Sequence, residues 1–326
     1  GIILDAALNA IEQNKTQFNA VKRRLFNLSA SGSPHANGTS LTAINWHPTH
    51  DAAFLTSTFG VNESVLFTNG VFENVPVYQK PLAIIGEKAA SLGASRYMVM
   101  GSNPMRNAYR SPDGSAVNDQ MHQFMQNGIS WLTGRSDLGM VSWNVVIAQT
   151  DDSFFFPDDR AIRAWLTQKY GGKAVYNQKD ACDGARLSGC IKANTHLLII
   201  SQVSNVGGDV AGIATVVKGA MERGIPVLYM HHNGDKKELG AALLPLFDVG
   251  YEDDAYWFKL RLTNYDGSKT YNTLPADVKS VQTLLTHFKN QSFTIRLNAC
   301  NEDACSNDTA YHREFQDGAG RVQSMV

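Results

Sequence analysis

Five short apolar runs of buried-strand length punctuate the middle of the chain: ESVLFT at residues 63–68, RYMVMG at 96–101, WNVVIAQ at 143–149, HLLIIS at 196–201 and PVLYM at 226–230. Helical stretches at residues 118–132, 158–170 and 210–223 lie between them. Strands that are apolar along their whole length must be covered on both faces, and amphipathic helices between successive strands supply that cover. The punctuation agrees: Asp158 and Asp159 place carboxylates in a first turn, Gly171 and Gly172 close that helix, and Gly224 closes the next. The pattern predicts an α/β fold built on a doubly wound parallel sheet.

Two flanking regions read differently. Residues 4–28 carry Leu4, Ala7, Leu8, Ile11, Phe18, Val21 and Leu25 among Lys, Arg, Gln and Asn, the periodicity of an amphipathic helix. A Ser-, Gly- and Asn-rich stretch at 29–40 follows and reads as loop or linker. After residue 251 the alternation fades into aromatic, Asn and Thr content with one helical stretch at 276–289. Because 326 residues exceed the usual size of one core, the expected organisation is an amino-terminal helix and linker (1–40), a sheet domain (41–250) and a smaller appended region (251–326).

A formal net charge of -1 with no long run of one sign leaves no electrostatic footprint for nucleic acid or an anionic membrane surface. No stretch approaches the roughly 20 apolar residues of a membrane helix. The sequence begins at Gly1 without a leader, as a processed protein or an expressed fragment would. Cys182 with Cys190, and Cys300 with Cys305, form two local pairs in polar segments; Asn301, Glu302 and Asp303 lie inside the second. Two small disulfide loops are expected, and with them an oxidising setting: secreted, periplasmic or at the cell surface. Buried free thiols are the alternative. Zinc ligation fits poorly, since neither spacing is usual for it and no His is close in sequence to either pair.

Ligands of open α/β sheets bind beyond the carboxyl ends of the strands, so the residues there are the candidates. They are Ser102 and Asn103; Thr150, Asp151 and Asp152; Ser201 and Gln202; and His231 and His232, with His47, His50 and Asp51 as further members of a polar crevice. Strand ends are also simply where polar loops begin. Pro48 and Thr49 oppose a helix between His47 and His50, and adjacent His231 and His232 point to opposite sides of a strand, so no metal is expected. Gly-x-Gly-x-x-Gly and Gly-x₄-Gly-Lys-Ser/Thr are both missing, so no cofactor is expected. Ser102 follows a strand, but Gly101-Ser102-Asn103-Pro104 is not the Gly-x-Ser-x-Gly of a serine hydrolase.

The unit HLLIISQVSNVGGD, VAGIATVVKGAMERG, PVLYMHHNGDKKELG resembles the core of class I glutamine amidotransferases, which implies a flavodoxin-like or amidotransferase-like sheet. It departs from them where chemistry is done. The family places a Cys between glycines after the last of these strands, and here Met230-His231-His232-Asn233 stands in that place. No catalytic residue is therefore carried over.

A wider resemblance rests on LTAINWHPTHDAAFLTSTFG, SRYMVMGSNPMRNAY and MHQFMQNGISWLTG. These look like the region upstream of the catalytic domain in secreted M60-like metallopeptidases of the immunomodulating metalloprotease A and accessory colonisation factor D type. Those bacterial enzymes use a zinc-binding His-Glu-x-x-His helix, and this sequence contains none. The resemblance implies a non-catalytic accessory or substrate- and glycan-binding module. Its partners would be a downstream peptidase domain of the same protein and a mucin-type glycoprotein or glycan. Tyr251, Tyr256, Trp257 and Phe258 form an aromatic patch that could stack on sugar or pack in a core. Two other readings stay open: a free-standing hydrolase using Ser102, Asp151 and His231, and a cell-surface interaction protein.

Overall fold

A computed structural model describes residues 2–27, 41, 43–44, 52–67, 71–72, 75–76, 81–91, 93–106, 116–150, 152, 157–201, 210–231, 237–255 and 272–273. Its strands are β1 (Ala43–Ile44), β2 (Ala52–Thr56), β3 (Asn62–Phe67), β4 (Val71–Phe72), β5 (Val75–Pro76), β6 (Pro81–Ala90), β7 (Gly93–Met100), β8 (Trp143–Ile147), β9 (Ala174–Tyr176), β10 (Leu197–Ser201), β11 (Val227–Met230), β12 (Gly250–Ala255) and β13 (Asn272–Thr273). Its α-helices are α1 (Ile2–Leu25), α2 (Ala116–Thr133), α3 (Asp158–Tyr170), α4 (Leu187–Cys190), α5 (Val210–Glu222) and α6 (Lys237–Leu243). The stretch 276–289 and the pair Cys300 and Cys305 lie outside the described residues.

The main sheet has seven strands in the order β3-β6-β7-β11-β10-β8-β9. From β7 to β9 every neighbouring pair is parallel, whereas β6 runs antiparallel to both β3 and β7. The α/β class holds, but the sheet is mixed rather than wholly parallel. The cause is a long hairpin in which β6 pairs with β7 from Ala83↔Met100 to Ala90↔Gly93. Short sheets β2-β12, β1-β13 and β4-β5 complete the pairing.

Alternation along the strands divides the interior into two cores. Met98, Met100, Ile147, Ile199, Leu228 and Met230 meet α1, α2 and α3 on one face. Tyr97, Val99, Val146, Leu198, Ile200 and Tyr229 meet α4, α5 and α6 on the other. The amino-terminal helix is thus part of a core: Phe26 stands edge-on to Phe124 at 5.3 Å, and Asn127 Nδ2 donates to the Leu25 carbonyl at 2.8 Å. Lys22 and Glu63, both buried, pair at 3.3 Å and tie α1 to β3.

Polar side chains finish what the backbone leaves open. Asn177, just past β9, accepts from Ile147 N–H at 2.8 Å and donates to its carbonyl at 3.0 Å, so its amide prolongs the ladder where the edge strand has ended. Gly101 has no alternative residue: its N–H donates to the Leu82 carbonyl at 2.6 Å, and a Cβ there would stand 1.9 Å from the Ala53 carbonyl oxygen.

Cys182 and Cys190 form the expected disulfide, with Cα atoms 5.9 Å apart. It staples the connection between β9 and β10 onto the core shared with α5. A loop this short gains about 2–3 kcal/mol from closure. Replacing both cysteines by Ala should lower the unfolding free energy by about that amount in urea denaturation; a loss under about 0.5 kcal/mol would mean that the surrounding packing holds the loop without the bond.

His196 yields a pH-dependent expectation. Burial, and then the nearby Arg135 charge, lower its pKa below the ordinary 6.5, and its Nδ1 accepts the Asn144 N–H at 2.9 Å, which requires a neutral ring. The unfolded chain therefore binds this proton more readily than the folded one. The stabilisation is complete above about pH 6.5 and is lost as pH falls through the depressed folded value. His196→Asn, whose side-chain oxygen can accept the same N–H, should give a flatter fall of Tm between about pH 6.5 and pH 5 than the parent chain; parallel curves would assign the acid sensitivity to other groups.

Candidate functional site

The carboxyl ends of β7, β11, β10 and β8 stand side by side. At this rim Ser102, Asn103, Ser201 and His231 are all buried. His47, His50, Asp51, Asp151, Gln202 and His232 lie outside the described residues, as do Tyr256, Trp257 and Phe258.

On the α1–α3 face the rim has a charged floor. Arg106, in the turn after β7, places Nε 2.6 Å from Asp158 Oδ1, and the two side chains are 1% and 0% exposed. Ser201 Oγ, at the end of β10, donates to Asp158 Oδ2 and lies 3.4 Å from the Met230 carbonyl. Asp158 stands in the first turn of α3, where the helix dipole favours a carboxylate. Two chain segments thus converge on the carboxylate of a third. The turn carrying Arg106 is itself fixed by Asn103, whose Oδ1 accepts from Met105 N–H at 3.0 Å and whose carbonyl accepts from Arg106 N–H at 3.2 Å. Among the described residues, Asn103 Nδ2 and Thr150 Oγ1 are buried without a hydrogen-bond partner.

Outside this floor, Asp152 accepts from Arg160 Nε at 2.7 Å and also pairs with Lys179. Partial burial acts to raise the Asp152 pKa, but the bonds and charges of Lys179 and Arg160 outweigh it and hold the carboxyl below its ordinary range. The neighbouring Asp159 pairs with Arg163 at 2.9 Å across one helical turn.

His231 belongs to the opposite face. Its Nδ1 lies 2.8 Å from the Tyr229 hydroxyl, two residues back on the same strand, and its ring meets Tyr251 edge-on at 5.9 Å. Full burial pushes the Tyr229 hydroxyl's pKa far up, so the phenol stays neutral. His231 and Tyr251 line a cavity of about 420 Å³ with Gly240, Ala241 and Leu244. Tyr251, foreseen as a sugar-stacking or core residue, is 41% exposed at its wall. Ser201 and His231 therefore serve different faces of the sheet.

Arg106, Asp158 and Gly240 had no place in the sequence-based site. Asp158 was legible as a helix-start carboxylate, but nothing in the spacing links it to Arg106 or Ser201. Among the described residues no group of three or more His, Cys, Asp or Glu could hold a metal ion, and no helix is long and apolar enough to cross a membrane.

A buried charge left without its partner costs about 3–5 kcal/mol, whereas replacing both partners by apolar groups costs far less. Asp158→Ala should destabilise the chain by about 3–5 kcal/mol in urea denaturation, and the double change Arg106→Met, Asp158→Leu by much less. Equal losses in the two variants would exclude the stranded guanidinium as the cause.

A family described as the immunomodulating metalloprotease N-terminal domain matches residues 78–252, more than half of the 326-residue chain and the segment from β6 into β12 that builds most of the sheet. No curated protein and no solved structure matches. The chain belongs to the immunomodulating metalloprotease N-terminal domain family.

Proposed function

We propose that this chain is a non-catalytic accessory module of a secreted zinc metallopeptidase directed at mucin-type or other glycoproteins. It holds substrate while a separate peptidase domain of the same protein cleaves it. The observation that carries this reading is the match over residues 78–252 to the N-terminal domain of a metalloprotease. Its support is chemical as well: the sequence has no His-Glu-x-x-His, and the place of an amidotransferase-type nucleophile holds His231, a buried imidazole bonded to Tyr229.

The same proposal takes the parallel part of the sheet as flavodoxin-like or amidotransferase-like. The strands β9-β8-β10-β11 reverse their winding between β8 and β10, the kind of position where such sheets hold ligands. Asp158 and Ser201 sit there, and Asp152, Arg160 and Lys179 offer polar groups nearer solvent. Glycan hydroxyls can exchange water for such groups, and the buried Arg106–Asp158 pair keeps the surface behind them fixed.

The test is mucin binding by the purified chain, measured by surface plasmon resonance beside enzymatically deglycosylated mucin and a variant carrying Asp152→Asn, His47→Ala and His50→Ala. Saturable binding that weakens about tenfold or more in the variant and on deglycosylation is the expected result. Failure of the intact, glycosylated mucin to bind saturably would overturn the reading.

A further inference from the structure

The cavity on the α5–α6 face is chemically unlike the polar rim. It lies beyond the carboxyl end of β11 and has a volume of about 420 Å³, within the roughly 300–1,000 Å³ of small-molecule sites. Ala241, Leu244, Pro245 and Val249 contribute apolar walls, while His231 and Tyr251 are its polar side chains. Their rings stand at 79° to each other, which makes an aromatic corner. Behind it, Tyr229 stacks on Phe247 with an interplanar angle of 18°, and the Tyr229 hydroxyl holds His231 Nδ1 at 2.8 Å, so the corner is fixed from below. Gly240 lets α6 close on the imidazole: a Cβ there would stand 2.6 Å from His231 Cε1.

From this geometry we infer that the cavity is a binding site for a planar aromatic group. The walls select it. A sugar would surrender several hydroxyl–water bonds and find an imidazole and a phenol in exchange, a poor trade in free energy. An aromatic ring instead gains from apolar burial and from edge-to-face contact with His231 and Tyr251. The size agrees, since an apolar cavity of about 150 Å³ already accepts benzene, and this one has room for a fused ring with a substituent. The same group can arrive as a free small molecule or as the side chain of a polypeptide. Neither source requires the polar rim, so this inference stands apart from the accessory-module reading.

Saturation-transfer NMR and calorimetry on the full chain test it, with indole, N-acetyltryptophanamide and N-acetylgalactosamine as probes. Indole is expected to bind saturably at about millimolar Kd or tighter. Ala241 is exposed, so Ala241→Trp fills the mouth without disturbing the core and should weaken indole at least about tenfold; Tyr251→Ala should weaken it as well. Binding of indole and N-acetyltryptophanamide together identifies a side chain as the ligand, and binding of indole alone identifies a free small molecule. The inference is overturned if indole does not saturate, if Ala241→Trp leaves its affinity unchanged, or if N-acetylgalactosamine competes for the cavity. Mucin binding that survives Ala241→Trp would leave the accessory-module reading intact.

Discussion

Strands β10 and β11 are buried on both faces, and most other features follow from that constraint. Every residue from Leu197 to Ser201 and from Val227 to Met230 is buried, so neither strand can carry an exposed polar side chain along its length. Helices must then lie on both sides, and α1–α3 and α4–α6 do so. Polar chemistry is displaced to the strand ends. There the backbone ladder runs out and side chains such as Ser201, Asn103 and Asn177 take over the hydrogen bonding.

The same constraint explains what could be read from the sequence. Apolar runs and helical periods are local, so α3 was expected at residues 158–170 and is found at Asp158–Tyr170; β10 and β11 agree with their expected bounds within one residue at the start. Strand β6 was not foreseen. Its segment PLAIIGEKAA ends in Gly86, Glu87, Lys88 and two alanines, which resembles loop chemistry. It is a strand because β7 pairs with it over its length, and Gly86 is small because the Tyr97 ring covers it: a Cβ would lie 2.2 Å from Tyr97 Cζ. That reason is tertiary and leaves no local pattern.

The candidate site was legible in the same partial way. Ser102, Asn103, Ser201 and His231 are rim residues because a strand end is visible in the sequence. Their partners are not. Arg106 and Asp158 are 52 residues apart, and only the fold shows that the turn after β7 and the first turn of α3 meet over the end of β11. The disulfide is the contrasting case: its cysteines are eight residues apart in one short connection between β9 and β10, so closure needs no distant element.

Adjacent residues Met230 and His231 divide the rim between two chemistries. Met230 packs with the α1–α3 core, beside the Arg106–Asp158–Ser201 floor, while His231 turns to Tyr229 and the apolar cavity. The Met230 carbonyl lies 3.4 Å from Ser201 Oγ, and the His231 N–H donates to the Met100 carbonyl at 2.7 Å, so the two environments share one stretch of backbone held on both sides. A displacement of β11's end by a ligand in the cavity would have to stretch one of these bonds. Because the Arg106–Asp158 pair is buried and cannot slide without exposing charge to an apolar interior, the rigid response is favoured. On the two readings proposed above, occupation of one face would leave the other largely unchanged.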